Sequence, residues 1–333
     1  MNSEPSQRRN CILGAFVGDA LAMPVHWYYD REALARDYGH VTDMLAPKNP
    51  HADSILWRSS YEALNAKGEI LHDQAIHWGK RGVHYHQFLQ AGENTLNMQL
   101  ALVLLNSLRT CGGYDHADYV RRYIEFMTTP GNHRDTYVEE CHRNFFTNLA
   151  RGKSPEKCGT EDIHIGGLAH VPVLASWYAD SEPDALATVH THVRTTHRGS
   201  QVETAARDLT RVLISILQGT PIRESIEKHC TGWVGRKKLD SWSSRPDEDV
   251  IGRVLSPACY LQDAFPAALF LAWKYADNIE AALIANTNLG GDNCHRGIVL
   301  GAILGAAGGP IPRRWIENLN CLDYLECNLC SSE

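Results

Sequence analysis

Apolar residues along this chain recur at helical spacing. In "CILGAFVGDALAM" (11–23) they repeat every three to four residues, with Gly14, Gly18 and Ala20 forming a small face. "NTLNMQLALVLLNSL" (94–108) is apolar nearly all round, which predicts a buried central helix. "HADYVRRYIEFM", "RDTYVEECHRNFFTNLA" and "DALATVHTHVRTT" are each amphipathic. "SQVETAARDLTRVLISILQG" predicts a helix with Ser200 as N-cap and Gly219 as stop. "QDAFPAALFLAWKY" accommodates Pro266 in a first turn or at a kink. "NIEAALIANTNL" and "CHRGIVLGAILGAAG" close the set, the latter with glycine at every fourth position, 297, 301 and 305. Strand-type alternation and a β-α-β rhythm are missing. The pattern predicts an all-α fold: a single compact helical domain around a central buried helix bundle. It divides the chain into a flexible N-terminus (1–9), the domain (10–318) and a cysteine-containing C-terminal tail (319–333).

Composition narrows the possibilities. The 333 residues are 44% hydrophobic and 21% charged, enough for a large core. Basic residues number 32 against 39 acidic, a net charge of -7 that opposes nucleic-acid binding through an electrostatic footprint. Apolar runs such as "LVLLNSL" fall far short of the roughly 20 residues a bilayer requires. "MNSEPSQRRN" lacks a signal peptide's apolar segment, so a cytoplasmic setting is expected. The ten cysteines are scattered through a large chain, as expected of mostly reduced thiols, several of them simply buried. Cys327 and Cys330 make a C-x-x-C with Cys321 upstream, but no second pair completes a zinc site. The irregular stretch 40–90, with "HADSILWRSS" and "HWGKRGVHYH", reads as a functional loop. "TGWVGRKKLDSWSSRPDEDV" reads as a lid or a solvated insertion.

Four polar clusters carry candidate chemistry. "GGDNCHR" sets backbone N–H groups and an acid at a helix N-terminus, where anions are favoured, although Asp292 could be a plain N-cap. "AGENTLN" puts Glu93, Asn94 and Thr95 where the buried helix begins. In "GDALAMPVHWYYD" Asp19 lies in an apolar helix and needs a partner, with His26 close behind. "RTTHRGS" places His197 before a new helix, and "HYH" spaces His84 and His86 two apart.

In this order, the clusters resemble the ADP-ribosylglycohydrolase superfamily over roughly residues 10–310. "GAFVGDALAMPVH" is similar to that family's opening motif, "AGENTLNMQLALVL" to its [ST]-D-D-T stretch, "TTHRGSQVETAARDLTRVL" to its T-H-x-[DH]-P stretch, and "NTNLGGDNCHRGIVLGAILGAAGG" to its glycine-rich D-[TS]-D-[TS] segment. The resemblance implies an ADP-ribose-type small molecule or an ADP-ribosylated protein as partner. It also implies two Mg²⁺ ions held by aspartates and threonines, and a diphosphate cradled by glycine-loop backbone. Here Asn94 and Cys294 stand where two of the metal aspartates are usual, Gly92 and His295 where hydroxyl residues are, and His26 where a glutamate is. Gly199 falls where the family has an acid or histidine. Two carboxylates hold a magnesium pair poorly, so the site is expected to carry a single divalent ion, such as Zn²⁺, or none. The expected catalytic residues are Glu93, Asp292, Cys294 and His295. Asp19, His26, Asn94, Gly290, Gly291 and His197 are expected to bind substrate, with Glu93, Asp292 and His295 as metal ligands. Cysteine beside histidine at a helix start predicts a lowered thiol pKa. "GENTLN" and "NCHRG" further resemble a branch containing the jellyfish J crystallins and the fish selenoprotein J. Three functions stay open: hydrolysis or binding of ADP-ribosyl compounds, a non-catalytic or crystallin-like role, and thiol chemistry at Cys294.

Overall fold

The computed structural model describes residues 5–329. The chain is an all-α protein; among the described residues, strand is limited to a parallel pair, Thr160–Glu161 beside His197–Arg198. At the centre lie the first helix, Pro5–Ala22, and the last core helix, Asn293–Ala306, which run antiparallel. Their glycines face one another. A Cβ added at Gly14 would overlap the Gly301 carbonyl, one at Gly18 the Gly297 carbonyl, and one at Gly305 the Asn10 carbonyl. Glycine at each fourth position therefore brings two backbones into direct contact. Every residue of Asn293–Ala306 is buried, which explains why the helix is apolar or small all round from Gly297 onward. The helices Leu96–Cys111, Ser200–Leu217 and Leu261–Lys274 contribute to the same hydrophobic core. Among the described residues, no helix is long and apolar enough to cross a membrane.

Several local expectations shift. Residues 5–9, expected to be loose, are helical, because the first helix begins at Pro5. Ser200 is the first helical residue rather than the cap; Gly199, at φ 126°, takes the cap position. Pro266 lies just past the first turn, and the carbonyl deprived of its donor belongs to Gln262, which is exposed to water. The stretch expected to form a lid or solvated insertion is structural. It holds the helix Arg236–Ser243, whose Leu239 and Trp242 are buried, and Trp273 donates to Asp240. The C-terminal segment is also built in: Leu322–Leu329 is helical, Leu325 is buried and Arg109 donates to the Cys327 carbonyl. Cys330, the second half of the C-x-x-C, lies outside the described residues.

The backbone contact sets a stability test. Gly301→Ala should cost about 3 kcal/mol in denaturant unfolding, the upper range for forcing volume into a packed core. Gly232→Ala, with nothing within 4 Å of its Cβ, should be close to neutral. Equal effects of the two substitutions would count against the seam.

Candidate functional site

The helix seam delivers two segments to one place. Beyond Ala22 the chain turns through Met23–Val25 and presents His26 against the start of the last core helix. Trp27 N–H donates to the Gly291 carbonyl at 2.8 Å and Gly291 N–H to the Tyr28 carbonyl at 2.6 Å, fastening the turn to the glycine loop. Gly290 and Gly291, at φ 64° and 65°, leave no room for side chains: a Cβ at the first would overlap the Tyr28 carbonyl, and one at the second the Pro257 carbonyl. Their N–H groups go to Thr287 and Tyr28, and that of Asp292 goes to Pro257. The diphosphate cradle expected at this loop is thus corrected. Its donors are already engaged within the protein.

Asp292 occupies the N-cap position of its helix but makes no capping hydrogen bond. Its Oδ1 instead meets two imidazoles, His295 Nδ1 at 2.7 Å and His26 Nε2 at 3.0 Å. From each imidazole the chain of contacts continues. His26 Nδ1 lies 2.8 Å from His86 Nε2, and His86 Nδ1 lies 2.5 Å from Asp135 Oδ1. On the other side, His295 Nε2 lies 3.1 Å from Glu139 Oε1, which also accepts from Asn97 at 2.6 Å. Asn97 Oδ1 accepts from His142 Nε2 at 2.9 Å, and His142 Nδ1 meets the Tyr123 hydroxyl. All of these groups are buried except Glu139, whose side chain is 20% exposed.

Burial and charge act against each other here. Burial alone pushes the Asp292 carboxyl up, but the charge of His295 and the hydrogen bonds from both imidazoles outweigh it and hold the group well below the usual carboxylate range. Burial likewise disfavours charge on His295; the carboxylates of Asp292 and Glu139 on either side win and raise it well above an ordinary histidine. His26 is lowered to about 3, chiefly by burial, against the pull of Asp292. Two carboxylates thus favour charge on His295, whose Nε2 also lies 2.8 Å from Asn97 Nδ2, while burial disfavours it on His26.

The surroundings of Glu139 and the imidazoles are aromatic. Trp27 stacks on His26 with ring centroids 3.7 Å apart, and Tyr85 and Tyr137 meet it edge-on at 4.6 and 5.0 Å. Trp27 holds φ 61°, a conformation costly for a bulky residue, and closes over the imidazoles. Trp78 stacks on Tyr137, and the Arg143 guanidinium lies over both rings. The 40–90 loop supplies Leu56, Trp78, Tyr85 and His86 to this region.

The remaining expected residues lie elsewhere. Glu93 turns outward, pairing with Arg134 and accepting from Gln90 N–H, so it does not join Asp292 and His295. Asp19 and Asn94 are close together but spent on structure. Asp19 accepts from Asn94 Nδ2 at 2.9 Å and from Thr95 N–H and hydroxyl at 2.8 and 2.7 Å, capping the buried helix. Burial raises the Asp19 carboxyl. His197 does not reach Asp292 but lines a cavity of about 20 Å³ with Asn97, His142, His170 and His192, which adjoins the network through Asn97 and His142 and has room for one water molecule. Cys294 is fully buried, 3.6 Å from the Asp19 carbonyl, and burial pushes its thiol well up, with nearby carboxylates adding to the effect. The lowered thiol pKa expected from the helix start is overturned by desolvation. A magnesium pair does not fit: Glu93 and Asn94 point away, and the donors around Asp292 are nitrogens rather than the oxygens Mg²⁺ demands.

A family model described as ADP-ribosylglycohydrolase matches residues 3–331. An uncharacterized protein of Archaeoglobus fulgidus is 25% identical over 325 residues, covering 96% of this chain and 93% of its own. Among solved structures, one titled "ADP-ribosylglycohydrolase-related protein complex" superposes with a TM-score of 0.67 at 22% identity, covering 98% of this chain and 96% of that one.

The raised thiol gives a direct prediction. Under native conditions iodoacetamide should label the exposed Cys111 and Cys327 well before Cys294, as read by peptide mass spectrometry. Cys294 labelling ahead of them would restore a reactive thiol.

Proposed function

Because the chain belongs to the ADP-ribosylglycohydrolase family, we propose that it binds ADP-ribosyl compounds at the Glu139–His295–Asp292 centre and hydrolyses an N- or O-glycosidic ADP-ribosyl bond. One observation carries this reading: Glu139 alone of the charged network reaches solvent, with aromatic rings beside it, while its other side is tied through His295 to a buried carboxylate. In such a reaction water adds to the anomeric carbon, the bond to the protein-side nitrogen or oxygen breaks, and the leaving group takes up a proton. Positive charge develops on the sugar as that bond stretches, and an ionised Glu139 held by Asn97 and His295 opposes it and orients the water. Trp78 and Tyr137 offer faces for a base or ribose, and Arg143, whose buried Nε lacks a partner, suits a diphosphate.

A second reading draws on a different observation. Trp27 covers the imidazoles, and Asp19 and Asn94 satisfy each other, as suits a non-catalytic member, a pseudoenzyme or a crystallin-like structural protein. Thiol chemistry at Cys294 gains no support from its burial.

The readings separate in one assay of ADP-ribose release from ADP-ribosyl-arginine, ADP-ribosyl-serine and O-acetyl-ADP-ribose. The hydrolase reading expects release from at least one, lowered about 100-fold or more by Glu139→Gln with KM little changed. It also expects millimolar ADP-ribose to raise the Tm, since a ligand of the native state stabilises it. No release and no thermal shift would decide for the non-catalytic reading.

A further inference from the structure

We propose that His26, Asp292 and His295 form a mononuclear site for a divalent late first-row ion of the zinc class, in place of the magnesium pair. The inference rests on the same centre as the proposed hydrolysis, but concerns its metal rather than its substrate. Among the described residues, these three form the group whose ligand atoms all lie within 4.8 Å of one another. Two imidazole nitrogens and one carboxylate oxygen are a known catalytic zinc donor set, leaving a fourth position for water or substrate. Bonds of about 2.0–2.2 Å to tetrahedral zinc place neighbouring donors about 3.3 Å apart. The two nitrogens here lie 3.0 and 2.7 Å from Asp292 Oδ1, so these two separations need to lengthen by only about 0.3–0.6 Å.

Two further observations point to a ligand. Asp292 Oδ2 has no hydrogen-bond partner although the residue has no exposed surface. A buried carboxylate oxygen left so is costly, and an ion bound bidentately, through Oδ1 facing the imidazoles and Oδ2 beside it, supplies the missing contact. Both imidazoles are also held from behind, His26 Nδ1 by His86 with Asp135 beyond it, and His295 Nε2 by Glu139. Partners of this kind fix ring orientation and tautomer in protein metal sites. On binding, the ion takes the place of any hydrogen on His26 Nε2 and His295 Nδ1. Each imidazole then carries a single proton on its far nitrogen, His26 Nδ1 facing His86 and His295 Nε2 facing Glu139, and any proton in excess of these two is released to solvent.

The test uses the full-length chain, stripped with a chelator and titrated with Co²⁺ and then Zn²⁺. Visible absorption reports coordination, and elemental analysis reports stoichiometry. One Co²⁺ per chain with nitrogen and oxygen ligation, displaced by Zn²⁺ but not by millimolar Mg²⁺, is expected. His295→Gln and His26→Gln, each checked for native circular dichroism, should abolish it. His86→Gln should weaken it about 10–100-fold, the usual effect of losing an outer partner. Glu93→Gln should bind as the parent does. Failure of the parent to bind Co²⁺, displacement by Mg²⁺, or binding that survives both histidine substitutions would each overturn the site. Release of ADP-ribose by a chain that binds no Co²⁺ would overturn the metal and leave the hydrolase reading standing.

Discussion

Backbone contact between the first and last core helices is the constraint on which the rest depends. Two helices usually pack with side chains between them, at axis separations of about 8–10 Å. Here Gly14, Gly18, Gly297, Gly301 and Gly305 remove those side chains, and carbonyl oxygens of one helix occupy the space of missing Cβ atoms on the other. The seam fixes not only distance but register. Stepping four residues at a time, it carries the end of the first helix to the start of the last, so that the turn after Ala22 meets the glycine loop. His26 and Asp292, separated by 266 residues in sequence, come within hydrogen-bond distance because of that register.

The same closeness decides the chemistry. A carboxylate at the centre of a helical bundle is costly unless charge and hydrogen bonds compensate it. Asp292 could have capped its own helix, the commonest role for an acid there. It turns instead to two imidazoles, and the helix start goes without a side-chain cap. Asp19 takes the opposite course and caps the start of Leu96–Cys111 from a different helix. Two buried acids, a short distance apart, are thus assigned to different tasks by their donors. Thr95 and Asn94 make Asp19 structural, while His26 and His295 leave one oxygen of Asp292 open.

The helical plan was legible because its signals are local. Periodicity marked the buried Leu96–Cys111 helix, and four-residue glycine spacing marked the seam. Site membership was legible where the motif itself supplied the residues, as for His26, Asp292 and His295. It failed where contact depends on distant partners. Glu139, Asp135 and Asn97 look like ordinary helix-start or helix-surface residues, and only the fold brings them to the imidazoles. Glu93 misled for the same reason, since nothing in "AGENTLN" shows that Arg134 draws its carboxylate outward. Cys294 misled because a helix start lowers a thiol pKa only when water or cations can support the thiolate. Complete burial beside carboxylates reverses the sign. His86, noted only as half of a pair two residues apart, became meaningful once its two nitrogens were seen to join His26 to Asp135.

The network bears on whether the substituted centre is an active site or a filled one. Buried ionic groups are weak contributors to stability, and well-packed apolar residues of similar volume are often as good or better. A centre that had lost all use could be closed by leucine or methionine at the positions of His26, His295 and Glu139. What stands there is a connected set of acids and imidazoles, with each imidazole oriented by a second group and one carboxylate oxygen without a partner. Such an arrangement is expensive to bury and gains little from packing alone. It is accounted for most simply if something other than the folded chain, an ion or a substrate, completes it.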